Sequence, residues 1–265
     1  MRFRLILHAI DKNPALPINY QYPLSAVIYK ILEKADSKYA AFLHGKGYGQ
    51  GLKNFKLFTF SDLKTPFKIN GDRINLLSRK AELIVSFHLP QAAEIFIKGI
   101  FQSQQIEIAD KKSRAIFQIN QIESLAGILN NVDDNEETEL MLKPLSPLVC
   151  GSKNDRGNYD FLSPENERFT EMIFLNWKEK TKAVFGEEQT VGLMGSAFIQ
   201  TVFFKNPPKS RLVTIKANTD SETKIRGFTN FTIKIKGRKE AVELLLNAGV
   251  GLYNAQGMGC VEITQ

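Results

Sequence analysis

Phe3, Leu5 and Leu7 alternate with Arg2 and Arg4, a two-residue period that predicts a strand with one buried face. The period lengthens over residues 24–35, where Leu24, Val27, Ile28, Ile31, Leu32 and Ala35 recur every three or four residues and predict a helix. Residues 55–60 and part of 73–87 read as further strands. A helix then starts at Pro90 and carries Ala93, Phe96, Ile97 and Ile100, and residues 115–122 alternate again. The order is βαββαβ. Residues 130–137, polar and acidic, interrupt the apolar pattern and mark the best boundary, although a long hairpin loop has the same composition. Beyond them residues 140–149 read as a strand, 165–185 as a helix with Phe169, Met172, Ile173 and Trp177, and strands fall within 191–204, 212–216 and 228–235. A helix over 238–248 and a strand over 260–264 end the pattern. The βαββαβ order returns with one strand to spare, which predicts an α+β chain of two tandem ferredoxin-like domains, residues 1–126 and 137–265.

Between the last helix and the last strand lie four glycines in two pairs, Gly249-Val250-Gly251 and Gly257-Met258-Gly259. Glycine reaches positive φ at little cost and lets another backbone come close, as a phosphate-lined polymer requires. Gly249 alone reads as a helix C-cap; the four together, with an apolar residue inside each pair, read as a shaped surface. Charge adds to this. Lys and Arg number 35 against 28 Asp and Glu, a net charge of +7 that suits an anionic partner. Lys205, Lys209, Arg211 and Lys216 form one basic group. Lys234 and Lys236 share one strand face opposite Ile233 and Ile235, and Arg238 and Lys239 follow at once. A solvated face has the same look; beside the glycine loop it suits an RNA backbone. Tyr253, inside the loop, is the base-stacking candidate, whereas Phe228 and Phe231 read as core.

Several chemistries drop out. Cys150 and Cys260 sit in apolar contexts without disulfide or metal-ligand spacing and read as buried thiols. No HExxH, GxSxG or phosphate-loop motif is present, so no metal and no cofactor is expected. The chain opens directly on a strand and has no run long enough to span a bilayer, which makes the cytoplasm the expected compartment.

The pattern G-Φ-G-x5-G-Φ-G over residues 249–259, closing a second ferredoxin-like unit, resembles the glycine-rich loop of the RAMP superfamily of CRISPR systems. Three N-terminal motifs resemble the CRISPR-associated endoribonuclease that cuts repeat precursor RNA: Val27-Ile28-Tyr29-Lys30, Phe42-Leu43-His44-Gly45 and Lys56-Leu57-Phe58-Thr59. Leu145-Ser146-Pro147-Leu148 resembles that family's second-domain opening. The resemblance implies a metal-independent reaction in which the 2′-hydroxyl attacks the adjacent phosphate, leaving a 2′,3′-cyclic phosphate and a 5′-hydroxyl. It assigns Tyr29, His44 and Lys56 to catalysis. Together the glycine loop and the basic and aromatic residues read above make Lys234, Lys236, Arg238, Gly249, Gly251, Tyr253, Gly257 and Gly259 the RNA-binding candidates, and the resemblance implies CRISPR repeat RNA as partner. Other CRISPR-associated proteins are further candidate partners, and pairing into a homodimer stays open. A non-catalytic RNA-binding subunit of the same superfamily is the rival reading, and a ferredoxin-like small-molecule enzyme the third.

Such a reaction needs a base for the 2′ proton, an acid for the leaving oxygen and a cation for the phosphate. His44 closes a helical pattern and precedes Gly45, a placement that suits a general acid; His8 and His88 follow strand patterns and read as structural. Tyr29 lies away from the centre of its helix's apolar stripe, which fits either a half-buried surface ring or a phenol turned toward a ligand. Positioning the 2′-hydroxyl suits it better than acting as base, because a phenol titrates near about 10. Lys56 opens the strand read over 55–60 and meets the phosphate if that strand pairs beside the helix end. The segment Gly45-Lys46-Gly47-Tyr48-Gly49-Gln50-Gly51 departs from the family pattern and bears on how His44 is presented.

Overall fold

Two antiparallel sheets with the same strand order organise the chain, each covered by helices on its apolar face. The computed structural model describes residues 1–49, 53–127, 129, 133, 136–155, 157–217 and 219–264. The first half runs β1 (Arg2–Ala9), β2 (Ala15–Pro17), α1 (Gln21–Ala35), α2 (Ser37–Gly45), β3 (Phe58–Phe60), β4 (Phe67–Asn70), β5 (Arg73–Leu76), β6 (Lys80–Phe87), α3 (Pro90–Gln102), β7 (Gln105–Ala109) and β8 (Arg114–Leu125). Its main sheet has the order β3-β6-β1-β8-β7, and β2, β5 and β4 form a small separate sheet. The second half runs β9 (Glu137–Pro144), β10 (Gly151–Lys153), β11 (Tyr159–Phe161), α4 (Phe169–Met194), β12 (Phe198–Phe203), β13 (Lys209–Ile215), β14 (Thr223–Thr229), β15 (Phe231–Arg238), α5 (Lys239–Ala248), a 3-10 turn (Asn254–Gln256) and β16 (Val261–Thr264). Its sheet has the order β12-β15-β9-β16. Counting only the βαββαβ strands, both sheets place the second, third, first and fourth side by side, which is the ferredoxin-like arrangement.

Local chemistry explains the elements. On β1, Phe3, Leu5 and Leu7 point into the core while Arg2, Arg4 and Ile6 remain half-exposed. The α1 stripe of Leu24, Val27, Ile28, Ile31 and Leu32 is buried, each such side chain contributing about 1.5–3 kcal/mol. Asp36 stops α1 in an extended conformation and starts α2, its carboxylate accepting a hydrogen bond from the Tyr39 amide at 2.9 Å. In the second half Trp177 is fully buried and its indole N–H donates to the Ala241 carbonyl at 2.8 Å, tying α4 to α5.

Several element edges differ from the sequence reading. The strand read over 55–60 is only β3, because Leu57 takes a left-handed φ of 53° and turns the chain before Phe58. The strand read over 140–149 ends at Pro144, and beyond it Leu148 and Val149 form isolated bridges to Phe228 and Gly251. The helix read over 165–185 starts at Phe169 and resumes past Gly186, whose φ of 83° breaks it, to reach Met194. Residues 228–235 are not one strand: Asn230, at φ 64°, joins the end of β14 to β15. Of the acidic stretch 130–137, Glu137 already belongs to β9, and most of the others lie outside the described residues.

The two halves meet along a polar seam. Asp62 accepts two hydrogen bonds from Arg211 of β13, at 2.7 and 2.8 Å, and a third from Gln21 at 3.0 Å. Ser25 of α1 donates to the Ala255 carbonyl at 2.6 Å, and Thr59 of β3 to the Met258 carbonyl at 2.9 Å. Among the described residues no helix is long and apolar enough to cross a membrane.

Candidate functional site

A cleft of about 980 Å³ opens beside this seam. One wall is the α1 face with Ser25, Tyr29 and Glu33, the end of α2 at His44, and residues 53–57. The facing wall comprises Ile173, Asn176 and Lys180 of α4, the β10–β11 hairpin and residues 251–256.

Tyr29, His44 and Lys56 come together on the first wall. The Tyr29 ring stands edge-on to the His44 imidazole, centroids 5.3 Å apart at 78°, and edge-on to Phe58 at 5.6 Å. Lys56 Nζ donates to the carbonyls of His44 at 2.9 Å and Gly45 at 3.3 Å. Its cation therefore sits on the open C-terminal carbonyls of α2, where the helix dipole favours it, and one N–H is left for a ligand. Lys56 precedes β3 and does not open a strand. Partial burial lowers its pKa. Burial also pushes the Tyr29 phenol above its ordinary value, so the ring keeps its proton and offers a hydrogen-bond donor. His44 is exposed, and its imidazole has no hydrogen-bond partner among the described residues.

After His44 the chain pairs with the residues before β3. Tyr48 and Phe55 exchange backbone hydrogen bonds of 2.8 and 2.6 Å, and the Tyr48 hydroxyl meets that of Tyr39 at 3.3 Å. Gln50 and Gly51 lie outside the described residues.

The second wall is built around a lysine that the sequence reading passed over. Lys180 is 1% exposed, and its Nζ donates to the carbonyls of Gly249 at 2.6 Å and Gly251 at 3.0 Å and to Asn254 Oδ1 at 2.6 Å. Burial pulls its pKa down to about 7. The signal was in the spacing, because Phe169, Ile173, Trp177 and Lys180 continue one buried helical stripe on which a lysine is out of place.

The four glycines of residues 249–259 are buried and all have positive φ. A Cβ on Gly251 would fall 2.2 Å from the Val149 carbonyl oxygen, on Gly259 1.9 Å from that of Val250, on Gly257 2.4 Å from the Phe60 ring and on Gly249 2.6 Å from Asn254 Nδ2. The close approach they permit is to the protein itself, and Gly251 alone of the four lines the cleft. Tyr253 also lines it, at a left-handed φ of 59°, its ring 6.2 Å from Tyr159 and 6.4 Å from Phe161.

The strand-face lysines stand elsewhere. Lys234 pairs with Glu139 at 2.7 Å and Lys236 with Glu137 at 2.6 Å, both acids coming from β9. Neither lysine lines the cleft, nor does Arg238, the residue before α5. Among the other basic residues of the sequence reading, Lys216 lines the cleft while Arg211 is committed to Asp62. Lys53 and Lys153 also line it. His88 is half-buried, its pKa pulled down to about 4 by burial, and packs on Phe185 at 6.2 Å. Cys150 and Cys260 are buried and unpaired, and burial pushes their thiols up to about 12 and about 11. Among the described residues no cluster of three or more His, Cys, Asp or Glu is placed to hold a metal ion.

Two family profiles cover the chain: residues 15–122 match CRISPR-associated protein Cas6, N-terminal, and residues 130–263 match CRISPR-associated protein Cas6, C-terminal. The chain belongs to the Cas6 family. The CRISPR-associated endoribonuclease Cas6 1 of Methanocaldococcus jannaschii is 27% identical over 267 residues, covering 98% of this chain and 92% of the relative. The CRISPR-associated endoribonuclease Cas6 of Pyrococcus furiosus is 23% identical over 267 residues, covering 99% and 90%. A solved RAMP protein described as binding different RNA substrates superposes with a TM-score of 0.78 at 21% identity, over 100% of both chains. The product of a Cas6-related gene from P. furiosus superposes with a TM-score of 0.77 at 21% identity, over 100% of this chain and 98% of that one. These likenesses establish the fold as that of the Cas6 and RAMP proteins, with two ferredoxin-like domains.

Proposed function

We propose that this Cas6-family chain is an endoribonuclease that binds CRISPR repeat RNA and cuts precursor crRNA in the interdomain cleft. The observation that carries the reading is the meeting of Tyr29, His44 and Lys56, drawn from α1, α2 and the segment before β3, on one wall of that cleft. The 2′-hydroxyl beside the scissile phosphate attacks phosphorus in line with the leaving 5′ oxygen. One P–O bond forms, one breaks, and the products are a 2′,3′-cyclic phosphate and a 5′-hydroxyl without a metal. Exposed His44 gives its proton to the leaving oxygen. The free N–H of Lys56 meets the charge that grows on the phosphate oxygens. Tyr29, held protonated by burial, donates a hydrogen bond that orients the sugar, and solvent or a substrate group takes the 2′ proton. Residues 1–126 form the cutting domain and residues 137–265 the domain that supplies Tyr253 and the opposite wall. A cytoplasmic protein working beside other CRISPR-associated proteins fits this role.

The test is cleavage of labelled repeat RNA in EDTA by wild type and His44→Ala. Wild type cuts and leaves a cyclic phosphate end, and His44→Ala binds without cutting. Unchanged cleavage by His44→Ala removes the histidine from the mechanism. Wild type that binds but never cuts leaves a non-catalytic RNA-binding subunit.

A further inference from the structure

Lys180 is a costly residue to bury. It occupies a core position on α4 in line with Phe169, Ile173 and Trp177, where an apolar side chain would avoid desolvating a charge. Its three partners, the carbonyls of Gly249 and Gly251 and Asn254 Oδ1, are all acceptors. A neutral amine has two N–H groups and would leave one of the three acceptors unpaired, so the full set is made by the ammonium, the form held below the folded pKa of about 7. Asn254 extends the set, its Nδ2 donating to the carbonyls of Val250 at 3.1 Å and Met258 at 3.0 Å. One ammonium and one amide thus fix four loop carbonyls from within.

The same loop is gripped from the opposite side by the N-terminal domain. Ser25 Oγ donates to the Ala255 carbonyl at 2.6 Å and Thr59 Oγ1 to the Met258 carbonyl at 2.9 Å. Ser25 precedes Tyr29 by one turn on the same face of α1, and Thr59 follows Phe58, whose ring stands edge-on against Tyr29. A path of hydrogen bonds and loop backbone therefore runs from Lys180 through residues 249–258 to Ser25, one helical turn before Tyr29, and to Thr59, the neighbour of the Phe58 that packs on Tyr29.

We propose that Lys180 is a positioning residue for RNA cleavage, its buried ammonium holding the loop as a rigid strut that sets Tyr29 against the scissile sugar. The proposal rests on the reading that the Tyr29 wall cuts RNA.

Single-turnover cleavage at saturating repeat RNA separates positioning from binding. It is measured at about pH 6, where Lys180 is an ammonium, and well below each variant's Tm, for wild type, Lys180→Met, Ser25→Ala and the double variant. Binding is measured in parallel with the same RNA carrying a 2′-deoxy sugar at the cut. Lys180→Met is expected to cut about 10- to 100-fold more slowly at saturation while its Kd moves less than about threefold. Ser25→Ala is expected to lose less, and the double variant to be no slower than Lys180→Met, because both changes break one path. A saturated rate unchanged in Lys180→Met, or slowdowns that multiply in the double variant, overturns the proposal. Where Lys180→Met does not fold, Ser25→Ala decides alone: an unchanged saturated rate rules the path out. Wild type that does not cut overturns the functional reading and this inference with it, whereas a cutting wild type with unaffected variants overturns only the inference.

Discussion

The two walls of the cleft hold their polar chemistry in opposite ways. On the first wall the His44 imidazole is exposed and makes no hydrogen bond among the described residues, and Lys56 keeps one N–H unspent. On the second wall Lys180 is buried and every N–H is spent on the loop. Groups that exchange protons with a substrate must be reachable and unsatisfied, whereas groups that hold a shape must be satisfied and shielded. The shared ferredoxin-like frame carries both solutions, so the division of labour lies in side chains and not in topology.

The largest effect that tests this contrast is on the first wall. His44→Ala should lower the single-turnover cleavage rate by about 10² to 10⁴, the range a general acid supplies, while Kd for repeat RNA and Tm stay near wild type. A drop in Tm matching the drop in rate would mean that His44 holds structure, as Lys180 does, and the contrast between the walls would disappear.

In the loop that backs the second wall the matching change attacks shape. Gly259 has a φ of 67°, and a Cβ there would fall 1.9 Å from the Val250 carbonyl oxygen. Gly259→Ala should cost about 3 kcal/mol or more, read from urea unfolding, since left-handed strain and a backbone clash act together. Gly45→Ala beside the first wall, where a Cβ meets nothing within 4 Å and φ is not left-handed, should be neutral or slightly stabilising. Equal losses at both sites would show that the loop's packing is not what demands glycine.

The pH dependence of stability isolates Lys180. Its folded pKa, pulled to about 7 by burial, lies below the unfolded value near 10.5, so between these the unfolded chain holds a proton that the folded chain has released. The stabilising contribution is complete above the unfolded pKa and is lost as pH falls through about 7. Wild-type stability should therefore rise from pH 7 toward 10 by up to about 1.4 kcal/mol per pH unit relative to Lys180→Met. Tyrosines that titrate in this window are common to both proteins and cancel in the difference. Parallel pH curves for the two would place the lysine's titration outside it.

A smaller loss is expected at the seam. Asp62→Asn removes one half of a bidentate pair with Arg211 and weakens the bond from Gln21. Both side chains keep some solvent contact, which holds the cost to about 1–2 kcal/mol in urea unfolding. A loss above that range would show the seam to be drier than its exposure indicates.

How much of this was legible in the sequence follows from what each feature depends on. Strand and helix order was readable because Phe3, Leu5 and Leu7, or Leu24, Val27, Ile28 and Ile31, carry their own periods. Turns made by residues other than glycine were harder: Leu57 adopts left-handed φ without a sequence mark, so β3 looked too long, and Asn230, a residue that tolerates that region, is a weak mark between two apolar runs, so β14 and β15 merged into one strand. The glycines of residues 249–259 announced a special backbone but not its partner, which is Val149, Val250, Phe60 and Asn254. Tyr29, His44 and Lys56 were chosen through family resemblance, because their meeting depends on the packing of α2 against α1. Lys180 was readable in principle, since a charge on a buried stripe breaks the pattern that defines the stripe. The pairing of Lys234 and Lys236 was hidden for another reason: it needs the register of β15 against β9, and Glu137 stood in a stretch that read as a boundary.

That register yields the smallest expected effect. Lys234 and Lys236 already face Glu139 and Glu137 and stand outside the cleft, while Lys153 and Lys216 line it. A lysine that neutralises an RNA phosphate releases a counterion, so its loss flattens the dependence of binding on salt by about 0.7 per contact for single-stranded RNA. Lys216→Ala should lower the slope of log Kd against log salt by about that amount. Lys236→Ala should leave the slope unchanged, because an ammonium paired with a glutamate outside the cleft neutralises no phosphate and releases no counterion. Binding isotherms at several salt concentrations separate the two. A flattened slope in Lys236→Ala would put the open face of the second sheet on the RNA path and extend the binding surface beyond the cleft.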